Sequence, residues 1–326
     1  MTYSKTVVLP ISPDEAYALI TEPERLRRWQ TVSAVVDLRA GGDYRWTITP
    51  GHTASGTYRV VEPGKRIVFG WGWVGSDSLP PDASTVTITV EPGEGGGSQV
   101  TLTHEGLDGE QAEAHAKGWD HYLERLDRIA ITGDAGPDEW AAILESLDPV
   151  TAAEAALATL QPILRNLTPA DQAKPTPCDD FTCHDLAEHL MNSIVQLGAM
   201  AGADVQVSVD GSLENRVSVM AAEAIDGWRQ VNLDGTVPGP GGGEMPAAMA
   251  AGILPIELAV HGWDIAQSSG QSMTLPDDLV AYLRGMAEVV VPAGRGRAFA
   301  DEVSPADNAS ALDRLAAYTG RTPLIV

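Results

Sequence analysis

Glu257-Leu258-Ala259-Val260-His261 sets a carboxylate and an imidazole four residues apart. On a helix that spacing puts both on one face, about 6 Å apart at the backbone, which suits two ligands of one cation. A third ligand has to come from another helix. His189 is flanked by Leu186 and Leu190, which turns its imidazole inward, and Asp185 lies one turn earlier on the same face. Two imidazoles and one carboxylate leave coordination positions open, as at a catalytic metal. Zinc is favoured by ligand type, and iron or nickel accept the same set. Spacing alone equally allows a surface Glu–His pair and a core histidine. Asp264, one turn after His261, either orients that imidazole or is a solvent-facing or capping carboxylate. Asp185 shares a face with His189 and either orients that imidazole or is itself a ligand. The two cysteines, Cys178 and Cys183, cannot make a disulfide framework, which points to a reducing, cytoplasmic setting. Five residues apart across a helix start, they read as packing residues rather than thiolates.

A second group lies earlier in the chain. Trp46, Trp71, Trp73 and Trp119 either line an apolar cavity or pack a core, and His104, Glu105 and His115 stand near the mouth of that cavity.

The elements that must position these groups differ between the two parts of the chain. Residues 1–135 alternate β-branched and aromatic residues. Strands are expected at 6–9, 34–38, 44–49, 56–61, 66–73, 85–90 and 99–104, with a short helix opened by Ser12-Pro13-Asp14-Glu15 and a long one over 109–132. This is an α+β helix-grip, a curved antiparallel sheet with a long C-terminal helix. The rest is Ala/Leu-rich, with helical patterns at 151–166, 184–201, 214–231, 244–268 and 276–290, which point to a helical bundle of four or five helices with crossover connections. Thr132 to Pro137 is a Gly/Asp/Pro cluster that suits neither helix nor strand. The expected domains are therefore 1–135 and 149–326, joined by a linker at 136–148.

Composition narrows the function classes. The 326 residues carry 21 Lys+Arg against 45 Asp+Glu, a formal net charge of -24. Twelve basic and 19 acidic residues in 1–135, against 9 and 26 beyond, concentrate the negative charge in the second part. Phosphate backbones and anionic membranes are poor partners for such a chain. No apolar run reaches the length of a bilayer span, and Met1-Thr2-Tyr3-Ser4-Lys5 leads straight into a strand, so neither a membrane span nor a secretory signal is expected.

The motifs carry two family resemblances. Ile67-Val68-Phe69-Gly70-Trp71, Ser84-Thr85-Val86-Thr87, Thr101 to Leu107 and His115 to Leu123 resemble the START-related (SRPBCC) superfamily, in the branch of the activator of Hsp90 ATPase homologue. That likeness covers residues 3–132 and implies a cavity between sheet and long helix that takes an apolar small molecule. Pro175-Thr176-Pro177-Cys178-Asp179-Asp180-Phe181, Asp185-Leu186 and His189-Leu190 resemble the first signature of the mycothiol-dependent maleylpyruvate isomerase family, a DinB-like four-helix bundle. Glu257 to His261 with Gly262-Trp263-Asp264 is similar to its second signature, and Leu312 to Pro323 to its C-terminal segment. Phe181 replaces a frequent tryptophan. Carried over by position, the family's metal ligands fall on His189, Glu257 and His261. The resemblance implies a divalent metal and a low-molecular-weight thiol such as mycothiol as cofactors.

Such a metal would lower the pKa of a bound thiol or water towards neutrality, or polarise a carbonyl. The function expected is a metal-dependent thiol transferase or isomerase acting on an apolar electrophile held or delivered by the first domain. The alternative is a non-catalytic protein that sequesters a hydrophobic metabolite or natural product.

Overall fold

Period-two alternation from Thr2 onward builds one antiparallel sheet. In the computed structural model its strands are β1 (Thr2–Leu9), β2 (Ser33–Val36), β3 (Asp43–Thr49), β4 (His52–Glu62), β5 (Arg66–Trp71), β6 (Ser84–Pro92) and β7 (Ser98–Glu105). Two short helices, α1 (Pro13–Thr21) and α2 (Pro23–Leu26), follow β1, and α3 (Gly109–Thr132) follows β7. The sheet order is β1-β7-β6-β5-β4-β3-β2, so the first strand closes against the last. The structure describes residues 2–324 apart from 179–180, 208, 210 and 240–241. Asp179 and Asp180 of the Pro-Thr-Pro-Cys segment lie outside the described residues, as do Pro240 and Gly241. The chain divides into two units, Met1–Trp140 and Ala141–Val326.

In the first unit the inward side chains of the sheet, among them Tyr44, Trp46, Tyr58, Phe69, Trp71, Ile88 and Leu102, share one core with Trp119, Leu123 and Leu126 of α3. Each such buried side chain contributes about 1.5–3 kcal/mol over an exposed one. Asp108 and Gln111 close a capping box at the start of α3, and Gly133 ends it at a φ of 81°. The loop before β6 lies on the sheet at Gly70: an added Cβ there would stand 1.7 Å from Asp82 Oδ1. Asp82, held at a φ of 65°, accepts a 2.9 Å hydrogen bond from the Thr57 amide. Residues 136–140, expected as linker, are held to α3. Arg125 donates to the carbonyls of Gly136 (2.9 Å) and Pro137 (3.0 Å), and His121 stacks on Trp140.

The second unit holds α4 (Pro149–Arg165), α5 (Cys183–Met200), α6 (Leu213–Gln230), a hairpin of β8 (Thr236–Pro238) and β9 (Glu244–Pro246), then α7 (Ala247–Ala251), α8 (Ile253–Ser269), α9 (Asp277–Gly294) and α10 (Ala311–Tyr318). Helix α4 packs on α6 and α8, and α5 packs on the same two, which closes a ring of four helices. The single helix expected over 244–268 is corrected. Glu244–Pro246 pairs with Thr236–Pro238, and the helix is interrupted again at Gly252, because Pro246 has no amide hydrogen for a helical bond and glycine is a poor helix former. The unit is therefore helical with one short hairpin. Helix α8 matters most, being flanked by α4, α5, α9 and α10 and buried nearly all round. A polar side chain on such a helix cannot reach water and must find a partner inside the protein.

Candidate functional site

Three polar groups of α8 and α5 meet in the second unit, His261 buried and Glu257 and His189 half-buried. Glu257 and His261 are one turn apart, with Oε2 and Nε2 at 3.3 Å. His189 of α5 brings its ring against His261, edge to face, with centroids 5.1 Å apart. Ligand atoms of His189, Glu257 and His261 all lie within 4.8 Å of one another. An ion with bonds of about 2.0–2.2 Å holds its ligand atoms at most roughly 4.4 Å apart, so small side-chain rotations complete a three-ligand set. The residues therefore fit a divalent metal.

Groups around the set orient it. Asp264, fully buried, takes a 3.1 Å hydrogen bond from His261 Nδ1, which turns Nε2 towards Glu257. Asp264 Oδ2 also accepts from Arg321 Nε at 3.4 Å, and Arg321 Nη1 donates to the Thr319 carbonyl. Ser193, one turn beyond His189, hydrogen-bonds the Glu257 carboxylate. Burial alone would raise the Glu257 carboxyl, but the facing imidazole of His261 outweighs it and holds the group well below the ordinary range. Burial alone would lower His261, and Glu257 with Asp264 drives it upward instead. His189 is lowered, by burial and by the charge on His261. Without metal the site is thus an ion pair with a neutral imidazole beside it.

Asp185, a candidate for orienting His189, is a correction. Its Oδ2 accepts from the Thr182 hydroxyl and amide (3.1 Å), completing the capping box of α5, so it serves the helix start. Phe181 packs on the His189 ring at 5.2 Å between centroids. Cys183 is buried and its thiol is pushed up by that burial, as expected of a packing residue. Cys178 is not: its sulfur faces Arg321 Nη2 at 3.8 Å, next to His261 and Asp264. Arg321 and Ser193 were missed by sequence reasoning. Arg321 had one signal, being a cation inside the C-terminal segment of a strongly acidic unit; Ser193 had none.

The aromatic group of the first unit is mostly interior. Trp46, Trp71, Trp119 and His104 are buried; only Trp73 and His115 reach partial exposure. The expectation that His104 stands at a cavity mouth is therefore corrected. Its Nδ1 accepts from Trp119 Nε1 (3.0 Å), so its proton is on Nε2, which donates to Ser84 Oγ (2.8 Å), and Ser84 in turn donates to the Trp71 carbonyl. His115 Nε2 accepts from Trp71 Nε1 and its Nδ1 donates to the Gln111 carbonyl. Both rings are used up as neutral connectors between sheet and α3. By contrast, Trp46 Nε1, Tyr17 Oη and Tyr58 Oη are buried with no hydrogen-bond partner among the described residues. Such donors are rare in folded interiors and mark a place where an acceptor is wanted.

Residues 10–130 match the family described as Activator of Hsp90 ATPase homolog 1-like protein. An AHSA1-like protein from Rhizobium etli is 36% identical, with 45% of this chain and 91% of that protein covered and a TM-score of 0.36. DynU16, from the dynemicin biosynthetic locus, is 22% identical over 46% of this chain, with a TM-score of 0.39; the chain spans 57% of its length. An uncharacterized protein of Mycobacterium tuberculosis is 28% identical over 183 residues, 54% of this chain and 99% of that protein. That stretch is longer than the first unit and so reaches into the second. No helix among the described residues is long and apolar enough to cross a membrane.

Proposed function

The first unit belongs to the Activator of Hsp90 ATPase homolog 1-like family, and on that premise we propose that the chain is a metal-dependent enzyme. Its reaction is thiol transfer to, or thiol-assisted isomerisation of, an apolar electrophilic small molecule held or delivered by the first unit. The second unit is a DinB-like bundle of the mycothiol-dependent type. One observation supports the reading: ligand atoms of His189 from α5 and of Glu257 and His261 from α8 lie within 4.8 Å of one another, with His261 buried and the other two half-buried.

A bound divalent ion, zinc by ligand type, supplies a Lewis acid that favours the thiolate form of a small thiol at neutral pH. The chain's own residues do the rest. Asp264 fixes the His261 tautomer, Ser193 holds the Glu257 carboxylate in place, and Arg321 balances the buried Asp264 charge and stands ready for an anionic group of thiol or substrate. In the first unit the unpartnered donors of Trp46, Tyr17 and Tyr58 suit a ligand whose apolar body carries a carbonyl oxygen, the group that makes a conjugated electrophile reactive.

Elemental analysis of the purified protein comes first, then thiol conjugation to a conjugated ketone by wild type and by His189→Ala and His261→Ala. Stoichiometric metal and loss of turnover in both variants are expected. Turnover untouched by His261→Ala removes the reading. Ligand capture with no turnover by metal-loaded protein supports sequestration of a hydrophobic metabolite instead.

A further inference from the structure

We propose a second cation position behind His261, formed by Cys178 Sγ, His261 Nδ1 and the Asp264 carboxylate, which takes a soft, thiophilic divalent ion. The three ligand atoms lie within 4.8 Å of one another, as closely as the His189–Glu257–His261 set. His261 and Asp264 are buried and Cys178 is half-buried, so this is not a solvated acidic patch. An independent sign of a missing partner is Asp264 Oδ1. Asp264 is 0% exposed, and that oxygen has no hydrogen-bond partner among the described residues. A buried carboxylate oxygen without a donor is costly, and a cation relieves the cost.

The donor types separate the two positions. The first offers two nitrogens and an oxygen; the second replaces one imidazole by sulfur, and thiolates select soft ions. A guanidinium already marks the second as a place for positive charge: Arg321 reaches Asp264 Oδ2 at 3.4 Å and Cys178 Sγ at 3.8 Å, both long contacts. An entering ion displaces that guanidinium, and the Cys178 thiol gives its proton to solvent.

His261 makes the two positions exclusive. A neutral imidazole carries one proton. When Nδ1 donates to Asp264, Nε2 is free for the first position. When an ion takes Nδ1 of the metal-free protein, the Nδ1 proton leaves to solvent and the other stays on Nε2, where Glu257 Oε2 at 3.3 Å accepts its hydrogen bond, and the first position loses a ligand. A soft ion behind His261 therefore disables the metal centre in front of it. The inference uses the geometry of the proposed centre but not its reaction.

The test is a titration of the metal-free, full-length protein with Cd2+, followed by a thiolate-to-metal charge-transfer band in the ultraviolet. The band should appear, saturate at a single equivalent and vanish in Cys178→Ser, with Cd2+ affinity lower by on the order of 10–100-fold. Cys183→Ser should keep it. His189→Ala should also keep it while losing Co2+ binding, so failure of the front centre and failure of this one are told apart. Bound Cd2+ should block Co2+ uptake and protect Cys178, but not Cys183, from alkylation read by mass spectrometry on the wild-type protein. A band that survives in Cys178→Ser, or Cd2+ bound with no band and no protection, overturns the second position. Simultaneous binding of Co2+ and Cd2+ overturns the exclusion.

Discussion

Acid should loosen the first unit through one buried histidine. His104 is 0% exposed, and both ring nitrogens are committed to Trp119 and Ser84. Burial, with the His115 ring 5.1 Å away, pushes its pKa from an ordinary 6.5 to about 3. Between those values the unfolded chain binds a proton that the folded unit refuses, so stability is full above about pH 6.5 and falls as the pH drops towards 3. A change from pH 7 to pH 5 should cost about 2 kcal/mol for this group, at about 1.4 kcal/mol per pH unit below 6.5. His115, lowered by its own burial, adds in the same direction. The control is His104→Gln, whose amide can accept from Trp119 and donate to Ser84 without titrating. Urea unfolding followed by tryptophan fluorescence reports mainly on this unit, since Trp29, Trp46, Trp71, Trp73, Trp119 and Trp140 lie within it and only Trp228 and Trp263 outside. Wild type should lose about 2 kcal/mol more than His104→Gln between pH 7 and pH 5. Equal losses, or a His104 imidazole that titrates near 6.5 by NMR, would refute the reasoning.

Other outcomes follow from the same structure. Glu257→Gln should lower metal content sharply while Asp185→Ala leaves it unchanged and costs about 1 kcal/mol of stability through the α5 cap, both read by elemental analysis and thermal unfolding. Because Glu257 and Asp264 keep a proton on metal-free His261, metal uptake at neutral pH should release about one proton, measured by calorimetry in buffers of different ionisation enthalpy. Gly70→Ala should destabilise the first unit by about 1–3 kcal/mol, since its Cβ would collide with Asp82; a loss well below about 1 kcal/mol in urea unfolding would show that the loop simply moves aside.

The outcome for each histidine shows where sequence reading stopped. His261 was legible because its partner Glu257 lies one turn away on the same helix, and local geometry alone decides that pair. His189 was legible only as an inward-facing ring; its approach to His261 depends on how α5 packs against α8. His104 read as a mouth residue because Thr101 to Leu107 looks like any edge of a cavity strand. Its saturation by Trp119 comes from a helix that starts only after the strand has ended. Glu244–Pro246 was assigned to a helix on its composition, and pairing with a strand six residues earlier overrode that preference.

Taken by itself, the sequence determined the two-part organisation, the sheet-then-helix order of the first unit, most helix boundaries of the second and the i, i+4 pair on α8, since all of these follow from hydrophobic period, caps and breakers within a few residues. Tertiary structure alone decided that Arg321 and Cys178 share a pocket with Asp264, that Ser193 holds Glu257 and that Asp185 stays at its helix start. Those contacts join positions far apart in the chain, or turn on which way a short side chain points, and no local spacing encodes either.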